Sequence, residues 1–124
     1  MELSPRRFAD AVVVSPAGRI DQSSADAFKD ALDPYLDQCA AGRDRVVVDL
    51  SELQYISSAG LRVLMLAAKR TKAQRGTLVL AGLQPLAREI FEISRFTLVF
   101  DIAPTLRDAL AKASASALTA FEKA

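Results

Sequence analysis

"RVVVDLSELQYISSAGLRVLMLAAKRTKAQRG", residues 45–76, decides how this chain is read. Its first six residues set an apolar run between charges, which reads as a central strand buried on both faces. "SELQYIS" then reads as a loop. From Ser58 onward the residues are good helix formers. Leu61, Leu64, Met65 and Ala68 recur on one face, while Arg62, Lys69, Arg70 and Lys72 fall on the wet side, and Gly76 stops the helix. The passage is therefore strand, short loop, helix, with two adjacent serines at the helix start.

The same alternation extends in both directions. Upstream, "AVVVSP" predicts a strand over 12–15, and residues 2–8 pair with it as a hairpin through Ala9 and Asp10, with Pro5 confining the first strand to an edge. Gly18 in "AGRID" marks a turn. "SSADAFKDALDPYLDQCAAG" predicts a helix capped by Ser23 or Ser24. Its buried stripe is Ala25, Phe28, Leu32, Tyr35, Leu36 and Cys39, and Pro34 should kink it or start a second short turn. Downstream, "TLVLAG" predicts a strand. "QPLAREIFEISR" predicts a short helix with Leu86, Ile90 and Ile93 facing in. "FTLVFD" predicts a last strand. The rest predicts a final helix, with Leu106, Leu110, Ala113, Ala117 and Phe121 on one stripe that weakens toward a fraying end. Such an order argues for a mostly parallel α/β sheet with right-handed crossovers, and places function in the loops after the strands' carboxyl ends.

Composition narrows the function. The chain has 124 residues, enough for one domain with its own core. With 16 basic and 15 acidic residues it nets +1, so it carries no electrostatic footprint for nucleic acid or an anionic membrane. There are six Phe, two Tyr and no Trp, too few for a base-stacking platform. The single cysteine, Cys39, forms no internal disulfide, and no apolar run is long enough for a signal or a membrane span, so the expected compartment is the cytoplasm. Histidine is absent, which removes Ser-His-Asp and Cys-His catalysis and leaves too few soft ligands for zinc.

The paired serines carry the remaining chemistry. A nucleophile elbow needs glycine two residues before the serine, where this chain has Ile56. No G-x-x-x-x-G-K-[ST] occurs, so "VVVDL" is not the magnesium strand of a P-loop enzyme. Asp49 as a receiver-type phosphoacceptor lacks the acidic cluster after the first strand, where Pro16, Ala17 and Gly18 stand. Asp49 is expected to hydrogen-bond the loop that follows it. Ser57 suits a helix N-cap, which explains one hydroxyl but not the second, nor the small Ala59 and Gly60. Those small residues keep the helix start open to an approaching partner. A phosphate fits the same place, because a helix N-terminus favours negative charge.

These residues carry a resemblance. "VVVDLSELQYISSAGLRVLMLAAK" (46–69) resembles the signature of STAS-domain proteins, the anti-sigma factor antagonists of bacteria. "VVVSPAGRIDQSSADAF" (12–28) is similar to that family's first strand, Gly turn and Asp, and "GTLVLAGLQPLAREIFEISRFTLVFDIAPTLRDAL" (76–110) to its last third. The resemblance implies a single STAS-like α/β domain over 1–111, with helices mainly on one face of a small mixed sheet and a helical extension or tail over 112–124. It implies partner switching: the unphosphorylated chain binds a serine-kinase-type anti-sigma factor, is phosphorylated on Ser58, dissociates, and is restored by a serine phosphatase. The family's usual Asp before the acceptor is Ser57 here, which makes Ser57 an alternative acceptor. Asp21 matches the family's Asp after the Gly turn. By itself Asp21 also reads as a helix N-cap. The expected binding face is Asp21, Gln22, Ser23, Ser57, Ser58, Gly60 and Arg62, on a non-enzymatic monomer with no cofactor, no metal, no nucleic-acid partner and no direct membrane insertion. The alternative implied by the family is a constitutive scaffold or accessory subunit, for instance of a lipid-transport complex.

Overall fold

The computed structural model describes residues 1–93, 95 and 99–124. The chain runs β1 (Arg6–Phe8), β2 (Ala11–Val14), β3 (Gly18–Ile20), α1 (Ala25–Asp37), β4 (Arg45–Asp49), β5 (Leu53–Ile56), α2 (Ser58–Ala73), β6 (Leu78–Ala81), α3 (Pro85–Ile93), β7 (Asp101–Ala103), α4 (Leu106–Ala113) and α5 (Ala115–Lys123). Five strands form one mixed sheet in the order β1-β2-β4-β6-β7. Only β1, the expected edge strand, is antiparallel. Val12, Val13 and Val14 stand beside Val46, Val47 and Val48 in parallel register.

Because side chains alternate across a strand, this register sorts the valines onto two faces. Val12, Val14, Val46, Val48 and Leu80 pack with Phe28, Leu32 and Leu36 of α1, Leu61 and Leu64 of α2, and Phe91 of α3. Ala11, Val13, Val47, Val79 and Ala81 pack with Ala109, Leu110 and Ala113 of α4 and Ala117 of α5. Three of the five helices thus lie on one face. Arg70 of α2 reaches Asp33 at 3.6 Å and also hydrogen-bonds Asp37, both on α1. The Gln74 side-chain amide donates to the carbonyls of Leu36 (2.9 Å) and Cys39 (2.8 Å), so the ends of α1 and α2 are held together.

Several expectations are corrected. "SELQYIS" is not a loop, and Gly18 does more than turn the chain: β3 and β5 pair in parallel as a second, two-stranded sheet. Gly18 opens β3 with φ +78°, a conformation that glycine adopts without a Cβ penalty. α1 runs through Pro34, which sits in its last turn and neither kinks the helix into two nor starts a separate turn, although one i→i−4 bond is lost there. In α3 the inward position goes to Phe91, which meets Phe100 at 5.6 Å. Leu86 and Ile93 are therefore turned out, 69% and 75% exposed, and Ile90 is exposed too. Of the strand expected over 96–101, residues 96–98 lie outside the described residues. Val99 and Phe100 form a turn and bend, and the pairing strand is Asp101–Ala103.

The final helix is broken at Ser114, whose extended backbone (φ −169°, ψ 130°) ends α4 and caps α5. Ser114 Oγ accepts from the Ala117 N–H and donates to Asp10 at 2.6 Å. The stretch expected to fray instead packs: Ala117 is buried, and Phe121 meets Phe8 edge-on at 5.4 Å.

Candidate functional site

The site is built by the small β3–β5 sheet. Ile20 and Ile56 are register partners, and the Ser57 N–H donates to the Ile20 carbonyl at 2.8 Å. The residues that leave these strands, Asp21 and Ser57, are therefore delivered side by side although 36 positions separate them. α2 starts directly on top of this pair. A Cβ on Gly60 would stand 2.7 Å from Ile56 Cγ1 and 2.8 Å from Ile20 Cγ2. Gly60 is buried and answers this internal contact. Its smallness seats the helix on the two isoleucines, beneath the expected binding face.

The two serines divide their roles. Ser57 has N-cap geometry (φ −79°, ψ 170°), and its Oγ accepts from the Gly60 N–H at 3.2 Å. Ser58 is the first residue of α2, is exposed, and has no hydrogen-bond partner for its hydroxyl among the described residues.

Asp21 organises the neighbouring turn. Its Oδ1 accepts from the Ser23 N–H (3.0 Å), the Ser24 N–H (3.0 Å) and the hydroxyls of Ser23 (2.7 Å) and Ser24 (3.2 Å). The Ser23 hydroxyl, then the Ser24 N–H and hydroxyl, hold this carboxyl below its ordinary value, so it carries a full charge at neutral pH. The N-cap position of α1 is Ser24, and it makes no side-chain cap bond. Asp21 secures the turn before the helix from three residues upstream, a correction to its expected N-cap place.

Gln22, Ser57, Ser58 and Arg62 come together along an open groove of about 580 Å3. Asp21 and Ser23 are exposed beside it on the 21–24 turn and do not line it. The groove also includes Ala59, Leu61, Met65, Leu66 and Lys69, which the sequence reading did not assign to the site. Their signal was present: positions 58, 62, 65, 66 and 69 share one helical face. Next to the site, the Arg19 guanidinium lies 4.4 Å from the ring centroid of Tyr55. Asp49 behaves as a loop anchor, with its Oδ1 accepting from the Ser51 N–H at 3.1 Å. Among the described residues no three His, Cys, Asp or Glu side chains are grouped to hold a metal, and no helix is long and apolar enough to cross a membrane.

This architecture has relatives. A family model described as "Mlab, STAS domain" matches residues 4–100. BtrV of Bordetella bronchiseptica, named as an anti-sigma factor antagonist, is 39% identical over 118 residues, covering 95% of this chain and 98% of BtrV. The anti-sigma-B factor antagonist of Listeria monocytogenes is 32% identical over 98 residues, covering 77% and 82%. In three dimensions, a Thermotoga maritima protein described as an anti-sigma factor antagonist superposes with a TM-score of 0.80 at 19% identity, over 90% of this chain and 93% of that one. A family match over residues 4–100, a relative 39% identical over 95% of this chain and the mixed β1-β2-β4-β6-β7 sheet together make this chain a member of the STAS-domain family of anti-sigma factor antagonists.

Proposed function

We propose that the chain is a non-enzymatic, cytoplasmic, monomeric switch that works by partner exchange. In its unphosphorylated form it docks through the Asp21–Ser23 turn and the Ser57–Arg62 end of α2 onto a serine-kinase-type anti-sigma factor. The kinase moves the γ-phosphoryl group of ATP to Ser58 Oγ, which loses its proton as ADP leaves. The complex then dissociates, and a serine phosphatase hydrolyses the phosphoserine to restore binding. The observation that supports this reading is the exposed, uncommitted hydroxyl of Ser58 at a helix start, beside a Ser57 hydroxyl already engaged as a cap.

The switch is electrostatic. Phosphoserine adds about −1.5 to −2 charges. On the first turn of α2 that charge is tolerated by the helix, and it reaches solvent without disturbing the core. In a desolvated interface without a matching cation it costs several kcal/mol. Each 1.4 kcal/mol is about tenfold in affinity, so a few suffice to release the partner.

The test is intact mass and site mapping on the protein isolated from its own organism, followed by binding of Ser58→Asp to the kinase recovered with it. A species one phosphate heavier, mapped to Ser58, and a Ser58→Asp variant that folds but no longer binds are the expected results. A phosphate on Ser57 would overturn the site, and wild-type binding by Ser58→Asp would overturn the charge argument. One unmodified mass under growth and stress would favour a constitutive scaffold or accessory subunit.

A further inference from the structure

The outer flank of α2 has a composition that Ser58 does not explain. Leu66 is 47% exposed, and it lies beside half-buried Met65 on the groove that begins at Ser58. The groove is rimmed by Arg62 and Lys69 and contains no carboxylate. The flank of the same helix that faces α1 is different: Arg70 is taken up by Asp33 and Asp37 of α1. Arg62 and Lys69 have no ion pair or hydrogen bond among the described residues. The chain therefore neutralises the cation on one side of α2 and leaves two cations free around an apolar strip on the other.

We propose that this strip seats an amphipathic helix of the partner protein, with carboxylates facing Arg62 and Lys69 and apolar residues against Leu66 and Met65. The proposal rests on the partner-switching reading for its biological setting and extends it to the chemistry of the partner. A helix is the fitting shape, because the exposed row runs along α2 at three- and four-residue steps, into which a second helix packs as ridge into groove. The two cations are seven residues apart, about 10.5 Å along the axis, so the matching carboxylates stand about two turns apart. A lipid surface fits less well: the strip is concave, offers two cations, and belongs to a chain whose net charge is +1. The phosphate would act on this contact twice. At Ser58 it places negative charge at the head of the groove, against the incoming carboxylates, and it stands one turn from Arg62, which it would draw away from them.

Two synthetic helical peptides test the proposal, alike in length and leucine positions, one with Glu and the other with Lys flanking the leucines. Each is titrated into the full-length protein and followed by amide 15N–1H shifts. The Glu peptide should move amides over 57–69, and the Lys peptide should not. Arg62→Glu and Lys69→Glu should each weaken the Glu peptide roughly two- to fivefold, the range of one exposed ion pair. Lys72→Glu, exposed on the same helix but outside the groove, should leave binding unchanged. Equal binding of both peptides, shifts that map elsewhere, or no shifts with either would overturn the proposal. So would binding to phosphatidylglycerol vesicles that the two reversals abolish while neither peptide binds. None of these outcomes depends on phosphorylation, so an absent phosphate at Ser58 would sink the switch without touching this result.

Discussion

The two faces of the five-stranded sheet are packed by different means. On the α1–α2 side the filling is large: Phe28, Leu32, Leu64, Leu80 and Phe91 are fully buried. On the α4–α5 side it is small: Ala11, Ala81, Ala103, Ala109, Ala113 and Ala117 surround Leu110 and three valines. Large side chains hold helices away from a sheet and supply most of the apolar burial. Alanines let α4 and α5 approach closely, with little area per residue, and polar pins fix their position. Asp10 is such a pin, bonded to Ser114 at 2.6 Å and to Arg45 at 2.5 Å. The candidate site lies on this thick side, where Gly60 of α2 seats on Ile20 and Ile56.

Cavity formation on the thick side should be the most damaging change. Phe28→Ala is expected to cost about 3–5 kcal/mol, read from urea unfolding. A loss below that range would mean that α1 collapses into the gap, and that this face is softer than its packing indicates. Overfilling the thin side comes next. Ala109→Leu should cost about 1–3 kcal/mol, because Ala109 is fully buried between α4 and the sheet. A neutral result would show that α4 rides loosely, and would erase the contrast between the faces.

The serines allow a finer comparison on the thick side. Ser57→Ala should lose about 1 kcal/mol with the cap to Gly60, whereas Ser58→Ala should stay within about 0.5 kcal/mol of wild type. Equal losses in thermal unfolding would mean that the two hydroxyls are not divided between structure and surface. The smallest effect is the acid response of the thin side. The Ser114 hydroxyl, and then the backbone and Arg45, hold the Asp10 carboxyl below its usual 3.8. A carboxyl whose pKa is lowered on folding adds stability above the unfolded value and loses it as the pH falls from 3.8 through the folded pKa. Asp10 is 41% exposed, so screening keeps this contribution below about 1 kcal/mol. The Phe8–Phe121 ring contact, followed by NMR, should loosen in that window before the α1–α2 side responds. Simultaneous loosening would mean that Asp10 is not specific to α5.

Much of this was legible in one dimension. The valine runs, the helix over 58–73 and the capping capacity of Ser57 are local patterns, and local patterns follow from period and residue type. The Asp21–Ser58 constellation was reachable through family resemblance, and the extra groove residues through helical spacing from Ser58. Other features have no local signal. β3 and β5 are three and four residues long and too short for a period to emerge, and they become strands by pairing with each other across 32 intervening residues. The inward turn of α3 went to Phe91 because that position meets Phe100, while an equally apolar Leu86–Ile90–Ile93 row was left outside. The break at Ser114, where the serine caps α5, is also braced by Asp10, 104 positions earlier.

Sequence by itself determined the class of the fold, the family and the presence of two adjacent serines at a helix start, since each is written in neighbouring residues. The tertiary structure decided which serine is committed as a cap, that Gly60 serves Ile20 and Ile56, and that Asp21 stands beside Ser57. Those are contacts between distant segments, and only the closed chain brings the segments within reach of one another.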